Sequence, residues 1–246
     1  VDAQPTITDL QYDRLLEQLR KLEQAHPELV TADSPTQRVG DAPVEHLDSV
    51  AHRLPMMSID NTYGRDELLK YGERIQGLLP EQEIEWVVEL KIDGVAVSLI
   101  YEDGLLTGAL TRGDGTTGDD ITHNVRTVAD VPLRLQGVDV PQLIEVRGEV
   151  YMTNADLVRL NQQRQQEGLE PYANTRNVTA GSIRLLDPRI CAERRLRMFC
   201  HGIGAAEGFD VADHMQFLAQ LRDWGLPATP HVECFASFTD AVDHAE

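Results

Sequence analysis

A lysine stands between two carboxylates in the segment Glu89-Leu90-Lys91-Ile92-Asp93-Gly94. A lysine that loses its proton is a nucleophile, and its attack on a phosphate would leave a P–N bond that can pass a nucleotide onward. If the segment is a strand, Glu89, Lys91 and Asp93 share one face, while Leu90 and Ile92 point to the core. The same pattern also fits a solvated charge ladder, and the hexapeptide alone favours that simpler interpretation.

Nucleophilic chemistry at such a lysine needs additional positive charge. The ordinary pKa of a lysine side chain is about 10.4, and nearby carboxylates stabilise its protonated form. A metal ion or further Lys and Arg side chains must therefore offset the two carboxylates during reaction.

Two other segments carry clustered polar residues. In Glu145-Val146-Arg147-Gly148-Glu149 the charged residues alternate, so a strand would place them on one face, with Gly148 allowing a ligand to approach. Glu149 could accept a hydrogen bond from a ribose hydroxyl, but the segment alone favours a surface salt-bridge ladder. The Gly-rich acidic stretch 111–122 has Arg112 near its start. It could contact a phosphate or be an ordinary hairpin loop.

Residues 174–197 contain six arginines: Arg176, Arg184, Arg189, Arg194, Arg195 and Arg197. A net charge of −19 argues against a simple nucleic-acid binder. A local basic patch can nevertheless bind duplex phosphates, because the local field matters more than the net charge. Pairing of these arginines with the excess carboxylates is the equally supported alternative.

The elements that must position these residues follow from periodicity and turn signals. Thr8 and Gln11 form a predicted capping box that opens a helix with a Leu15, Leu19 and Leu22 stripe. The turn-rich stretch 33–43 reads as a connector, and a boundary is expected near residue 46. Further helices are predicted over 66–79, 153–166, 215–224 and from Ser237 onward, and strands over 86–92, 95–101, 105–111, 143–152 and 196–202. The tight turns at 93–94 and 103–104 predict that the first three strands are antiparallel neighbours, so the fold class is α+β.

The composition predicts the size of the core, the cellular location and the state of the cysteines. The chain has 246 residues, 41% of them hydrophobic, which is enough for a sizeable core. It shows no long apolar run and no signal-peptide pattern, so we expect no membrane association and a cytoplasmic location. Its three cysteines include no C-x-x-C pair, which predicts free thiols and neither a disulfide framework nor a zinc site.

Taken together, these segments resemble the NAD-dependent DNA ligases of bacteria over nearly the whole chain. The motifs occur in order as DLQYD from Asp9, DSPTQRVG from Asp33, PMMSIDN from Pro55, ELKIDG from Glu89, TRGDGTTGDDIT from Thr111, EVRGEV from Glu145 and NTRNVTAGSIRLLDPR from Asn174. The resemblance implies an antiparallel-sheet nucleotidyltransferase core, related to ATP-grasp ligases, over residues 47–246. It also implies a partial helical subdomain over residues 1–46 that binds NAD through its nicotinamide mononucleotide (NMN) half.

The resemblance implies a role for each matching residue. Lys91 would attack the adenylyl phosphorus of NAD, release NMN and pass AMP to the 5′-phosphate of a DNA nick, which the 3′-hydroxyl then seals in replication and repair. Asp93 would support the lysine. The expected nucleotide-binding residues are Asp9, Tyr12 and Asp13 for the nicotinamide half, Ser58 and Ile59 for the adenosine pocket, Glu89 for adenine, Glu149 for ribose, Arg112 beside the nucleotide, and His201 against the base.

The resemblance also implies partners and ions. Nicked double-stranded DNA is the expected macromolecular substrate, with Arg176 and Arg184 as contacts, and a monomer is expected. Magnesium would be bound largely through water and substrate phosphates, without a dedicated protein metal site. Zinc is expected only in a part of the family's architecture outside these residues, as are the later lysines that would supply positive charge. This fragment alone is therefore expected to adenylate weakly and not to seal nicks.

His201 is a departure from the family pattern, since that position usually holds a tyrosine that packs on adenine. Thr175, Val178 and Thr179 also replace the usual proline and alanines. Two alternatives stay open. An ATP-dependent ligase or capping-type nucleotidyltransferase also uses K-x-D-G, although the N-terminal DLQYD and DSPTQRVG segments favour NAD. A non-catalytic nucleotide- or DNA-binding relic is the other.

Overall fold

The N-terminal segment is built on one capped helix. The computed structural model describes residues 7–39 and 42–246, and its first helix, α1, spans Asp9–Ala25. Thr8 and Gln11 form the predicted capping box, with the Gln11 amide donating to Thr8 Oγ1 at 3.3 Å and the Thr8 amide to Gln11 Oε1 at 2.9 Å. The predicted leucine stripe, however, lies on an open face, because Leu15 is 56% and Leu22 60% exposed.

The connector after α1 is fastened at both ends. It contains two short 3₁₀ turns, Pro27–Leu29 and Pro35–Gln37. The Glu23 carboxylate of α1 accepts hydrogen bonds from Ser34 and Thr36 in the second turn. Arg38 then donates to three main-chain carbonyls of the main body, the closest being Val131 O at 3.0 Å. The connector therefore ties α1 to the larger part of the chain.

The main sheet has four strands in the order β4-β3-β6-β7, and all neighbours are antiparallel. Its strands are β3 (Val95–Glu102), β4 (Leu105–Thr111), β6 (Leu143–Tyr151) and β7 (Arg197–Glu207). The predicted Asp103-Gly104 turn joins β3 to β4, with both residues at positive φ. Alternate residues of β3, including Leu99 and Tyr101, are completely buried, as the period-two pattern requires.

Two smaller sheets flank the main one. Strand β1 (Ser49–Ala51) pairs with β5 (Thr117–Asp119), and β2 (Trp86–Val88) pairs with β8 (Glu233–Phe235). The prediction that β2 and β3 are antiparallel neighbours is therefore wrong. Residues 89–93 belong to no strand and cross from the β2-β8 sheet to the main sheet. Leu90, which was expected in the core, is 53% exposed.

Glycine at position 94 explains why the ladder breaks there. A Cβ at Gly94 would lie 2.2 Å from the carbonyl oxygen of Val150, so the backbone enters the main sheet in close contact with β6. The preceding residues, 89–93, lie outside both the β2-β8 ladder and the main-sheet ladder. Lys91 therefore lies on an irregular crossing segment and not on a strand.

Two of the seven remaining helices of the described chain begin at the predicted polar caps. The seven are α2 (Arg65–Leu78), α3 (Thr122–Val125), α4 (Asn154–Gln166), α5 (Thr175–Ile183), α6 (Pro188–Glu193), α7 (His214–Asp223) and α8 (Phe238–Ala245). Thr153 and Ser237 cap α4 and α8. Gly225, at φ 81°, follows α7 as the predicted stop. The mixture of antiparallel sheets and separate helices confirms the α+β prediction.

One large core holds the main sheet and its helices together. Phe217, Leu218 and Leu221 of α7 are buried in the same cluster as Leu99 and Met198 of the sheet. A separate aromatic contact joins α8 to β2, where the Trp86 and Phe238 rings lie 4.3 Å apart. All three cysteines are free, as predicted. In the described ranges, no helix combines the length and apolar character needed to cross a membrane.

Candidate active site

A cavity of about 850 Å³ opens where the crossing segment passes over the main sheet. The crossing segment and the start of β3 form one side, the chain at 56–61 another, and β6, β7 and α5 the floor and far wall. Eight residues selected from sequence line it: Ser58, Ile59, Glu89, Lys91, Arg112, Glu149, Arg176 and His201. Residues up to 143 positions apart in the chain (58 to 201) thus meet around one space.

Other selected residues lie elsewhere. Tyr12 and Asp13 are exposed on α1 and do not line the cavity. The side chain of Asp9 lies outside the described part of the structure. Arg184 points to β5, where it pairs with Asp119 at 2.9 Å.

Asp93 lies beside the cavity and has a cationic partner. Its Oδ1 atom is 3.4 Å from Nη1 of Arg176, which projects from α5. One of the two carboxylates flanking Lys91 is therefore paired with a guanidinium. Arg112 and Arg176 both line the cavity, so the structure brings two arginines to the lysine segment. This positive charge is what the chemistry of a lysine between carboxylates requires.

Glu149 presents an unsatisfied acceptor to the cavity. It lies on β6 next to Gly148, where a Cβ would be 2.2 Å from the Phe199 carbonyl oxygen, so β7 packs directly against this position. Burial raises the pKa of Glu149 to about 7, although the charges of Lys91 and Arg176 partly oppose that rise. Its Oε2 atom is buried and has no hydrogen-bond partner in the described residues. A ligand hydroxyl would satisfy it.

Glu89, two residues before Lys91, also presents an unsatisfied acceptor to the cavity. Its Oε2 atom is also buried without a hydrogen-bond partner from the described chain. His201 lies nearby on β7, and burial lowers its pKa, so the imidazole stays neutral at physiological pH. The cavity therefore combines one primary amine, two unpartnered carboxylate oxygens and a neutral aromatic ring. That set suits a ligand with N–H and O–H donors and a phosphate.

Arg147 holds the wall that carries Ser58 and Ile59. Its guanidinium donates to the Leu54 carbonyl at 2.6 Å and to the Pro55 carbonyl at 3.1 Å. Its side chain is 18% exposed, and its Nη2 atom lies 4.0 Å from Oε2 of Glu145, which is 2% exposed, so these two charges form a largely buried pair and not a surface ladder. The sequence did not reveal this role, because the accepting carbonyls lie about 92 residues earlier in the chain. The only sequence signal was the alternation of charged residues in 145–149, which does not indicate burial.

The same wall is anchored from the Gly-rich loop. The Met56 amide donates to the Gly115 carbonyl at 2.9 Å. Arg112 Nη1 donates to Ser58 Oγ at 3.2 Å, so this arginine contacts the wall as well as the cavity. Stretch 111–122 is not a simple hairpin loop, since its residues 117–119 form β5.

Three of the six arginines of 174–197 pair with carboxylates. Besides the contacts of Arg176 and Arg184 described above, Arg189 pairs with Asp187 at 2.7 Å. The guanidinium of Arg194 lies 5.8 Å from the Tyr172 ring centroid. Carboxylate pairing therefore accounts for three of the six, and DNA binding by this stretch stays a prediction.

No three His, Cys, Asp or Glu side chains form a metal-binding group within the described ranges. A second recess, about 1020 Å³, lies between α2, β2 and α8. Although it is larger, its lining contains glutamates but no Lys, Arg or His. Since a phosphate-bearing ligand needs cationic partners, we place the candidate site at the Lys91 cavity.

Comparison with known proteins gives matches along almost the whole chain. The family model described as "NAD-dependent DNA ligase adenylation domain" matches residues 44–246, and the one described as "DNA ligase-like, N-terminal NAD+-binding domain" matches residues 1–40. A protein named DNA ligase from Rhodopirellula baltica is 52% identical over 251 aligned positions, and one from Geotalea daltonii is 50% identical over 245. Each alignment covers 98% of this chain but only 36% of the relative.

Proposed function

Because the chain belongs to the family of NAD-dependent DNA ligases, through its adenylation and N-terminal NAD+-binding domains, we propose that it carries the adenylation step of nick sealing. Lys91 Nζ attacks the adenylyl phosphorus of NAD. A P–N bond forms, the P–O bond of the pyrophosphate breaks, and NMN leaves. The AMP then moves to the 5′-phosphate of nicked DNA, and the 3′-hydroxyl displaces it. The chain spans about a third of its relatives, so later steps draw on the whole protein.

The observation that carries the proposal is the composition of the cavity around Lys91. Two carboxylates in its lining, Glu89 and Glu149, each keep an oxygen buried without a hydrogen-bond partner in the described residues. Adenosine supplies matching donors, an exocyclic amino group for Glu89 and a ribose hydroxyl for Glu149. The ligand would donate to both carboxylates while its phosphate faces the amine. A charge ladder on an open sheet would have no such orphaned acceptors.

The arginines supply the charge that the reaction needs. Lys91 must be neutral to attack, and Asp93 is already paired with Arg176 at 3.4 Å. Arg112 and Arg176, which line the cavity, would meet the adenylyl phosphate, which gains negative charge in the transition state. Magnesium, when bound, would add Lewis-acid stabilisation. With no protein metal cage in the described residues, it would be held mainly by water and the phosphates of NAD.

Further assignments of the same proposal rest on the family pattern. We assign Asp9, Tyr12 and Asp13 of the N-terminal segment, taken as residues 1–46, to the nicotinamide half of NAD. Ser58, Ile59 and His201 would contact the adenosine within the 47–246 domain. Arg176 and Arg184 would contact the nicked DNA. A cytoplasmic location and a monomeric state also stay predictions.

The test is covalent labelling of the full-length protein. Incubated with magnesium and NAD labelled in its adenylate, the wild type should form an AMP adduct that acid cleaves and alkali does not. Lys91→Ala should abolish the adduct, because no other amine replaces it. The control Lys70→Ala removes an exposed lysine of α2 and should label normally.

The outcomes separate the alternatives. Labelling from ATP but not from NAD would favour an ATP-dependent nucleotidyltransferase. No labelling from either nucleotide would favour a non-catalytic relic. A persistent adduct in Lys91→Ala would place the nucleophile elsewhere.

A further inference from the structure

Glu89 lies beside a histidine that the sequence did not single out. Nε2 of His214 lies 3.7 Å from Oε2 of Glu89, the same oxygen that is buried without a hydrogen-bond partner in the described residues. Both side chains are about one-third exposed, so the pair lies at the edge of the cavity and not in the bulk solvent. His214 itself does not line the cavity. It therefore stands behind Glu89 relative to the ligand space.

The helix that carries His214 is firmly placed. His214 is the first residue of α7, and Asp213 caps that helix by accepting from the Gln216 amide at 2.8 Å. Phe217 and Leu218, in the next turn, are completely buried in the main core. The imidazole thus projects from a rigid support, whereas Glu89 lies on the irregular crossing segment. The imidazole of His214, held in place by α7, can therefore fix the orientation of the Glu89 carboxylate.

We propose that His214 is a positioning residue for base recognition, which holds Oε2 of Glu89 so that Oε1 faces the exocyclic amino group of adenine. This inference rests on the proposed function, because it takes Glu89 as the residue that reads the base. A carboxylate oxygen accepts from an amino group but opposes a carbonyl oxygen. The pair therefore selects a 6-amino purine over a 6-oxo purine. Without His214, Oε2 loses the imidazole that lies 3.7 Å away, Glu89 can turn, and the selection weakens.

The test compares NAD with its deaminated analogue, which carries hypoxanthine in place of adenine, in single-turnover adduct formation by the full-length protein. We expect the wild type to favour NAD by roughly 10–100-fold, the range for one charge-assisted hydrogen bond. His214→Leu, which keeps a similar volume but has no donor, should lower that ratio about tenfold. His214→Gln places an amide N–H near the position of Nε2 and should keep the ratio within about threefold of the wild type.

The ratio of the rates with NAD and with its deaminated analogue is the decisive measurement, because a general loss of structure slows the reaction with both substrates equally. If His214→Leu keeps the wild-type ratio, or His214→Gln loses as much as His214→Leu, the inference is wrong. Should His214→Leu fail to fold, His214→Asn provides a second variant, whose shorter amide cannot reach Glu89 and should behave like leucine. Failure of the proposed function is a separate result, since the wild type would then form no adduct from NAD.

Discussion

Replacing Glu149 with glutamine should make the protein more stable at alkaline pH. Burial raises the pKa of Glu149 from 4.5 to about 7 in the folded protein. Since the folded-state pKa lies above the unfolded value, the stabilisation from the protonated carboxyl is complete below about pH 4.5. It is lost as the pH rises through about 7. Glutamine is neutral throughout, so the variant should not show this loss.

The size of the effect follows from the two pKa values. A rise from 4.5 to about 7 corresponds to an upper limit of ~3 kcal/mol at pH 8.5. Because the side chain faces a cavity and is partly solvated, we expect about half of that, ~1.5 kcal/mol. For a chain of this size, ~1.5 kcal/mol raises the melting temperature by about 3–6 °C.

The assay is thermal unfolding of wild type and Glu149→Gln between pH 4.5 and pH 8.5, without nucleotide. The difference in Tm should be small at the acidic end and grow to its full value near pH 8. Glu102→Gln, on the neighbouring strand β3, controls for loss of a carboxylate that is half exposed and paired with Arg53. A Tm difference between Glu149→Gln and wild type that stays constant over this range would refute the reasoning.

Two substitutions test how the cavity is built. Gly94→Ala would place a Cβ 2.2 Å from the Val150 carbonyl oxygen, so we expect a loss of ~1–3 kcal/mol in denaturant unfolding and slower adduct formation. Gly77→Ala in α2, where a Cβ meets nothing within 4 Å, is the matched control and should be neutral or stabilising by up to ~1 kcal/mol. Arg147→Lys replaces a guanidinium that donates to two carbonyls with a single ammonium group. The KM for NAD should therefore rise about 3–10-fold, while the Tm should stay within about 3 °C of wild type. An unchanged KM would show that Arg147 does not support the nucleotide wall.

Local signals in the sequence predicted much of the fold. Thr8, Thr153 and Ser237 each begin a helix because a short polar side chain there accepts from the amide three residues later. The Asp103-Gly104 turn was predictable for a similar reason, since both residues adopt the positive φ that such turns need. Asp93-Gly94 carried the same signal but makes no hairpin. There the glycine is required by close contact with β6, which is a tertiary constraint.

The sequence predicted which residues belong to the site better than it predicted how they are arranged. Family motifs pointed to Lys91, Glu149 and Arg112, and the structure places all three in one cavity. Arg147 was grouped with surface charges, because its carbonyl partners, Leu54 and Pro55, are distant in sequence and carry no side-chain signal. The same alternation of charged residues occurs on a solvated strand face and on a strand whose arginine is largely buried against carbonyl groups. Only the packing of β6 between β3 and β7 decides it.

The position of Lys91 off the sheet has a consequence for its chemistry. On a strand, the pleat would fix the direction of the amine, and Glu89 and Asp93 would stay beside it on the same face. On the crossing segment, its direction depends on two anchors, the pairing of β2 with β8 and the contact of Gly94 with β6. Asp93 can then turn to Arg176 while Glu89 turns toward His214, so each carboxylate has a cationic or N–H neighbour of its own. The irregular backbone thus gives each carboxylate that flanks Lys91 a neighbour other than the amine.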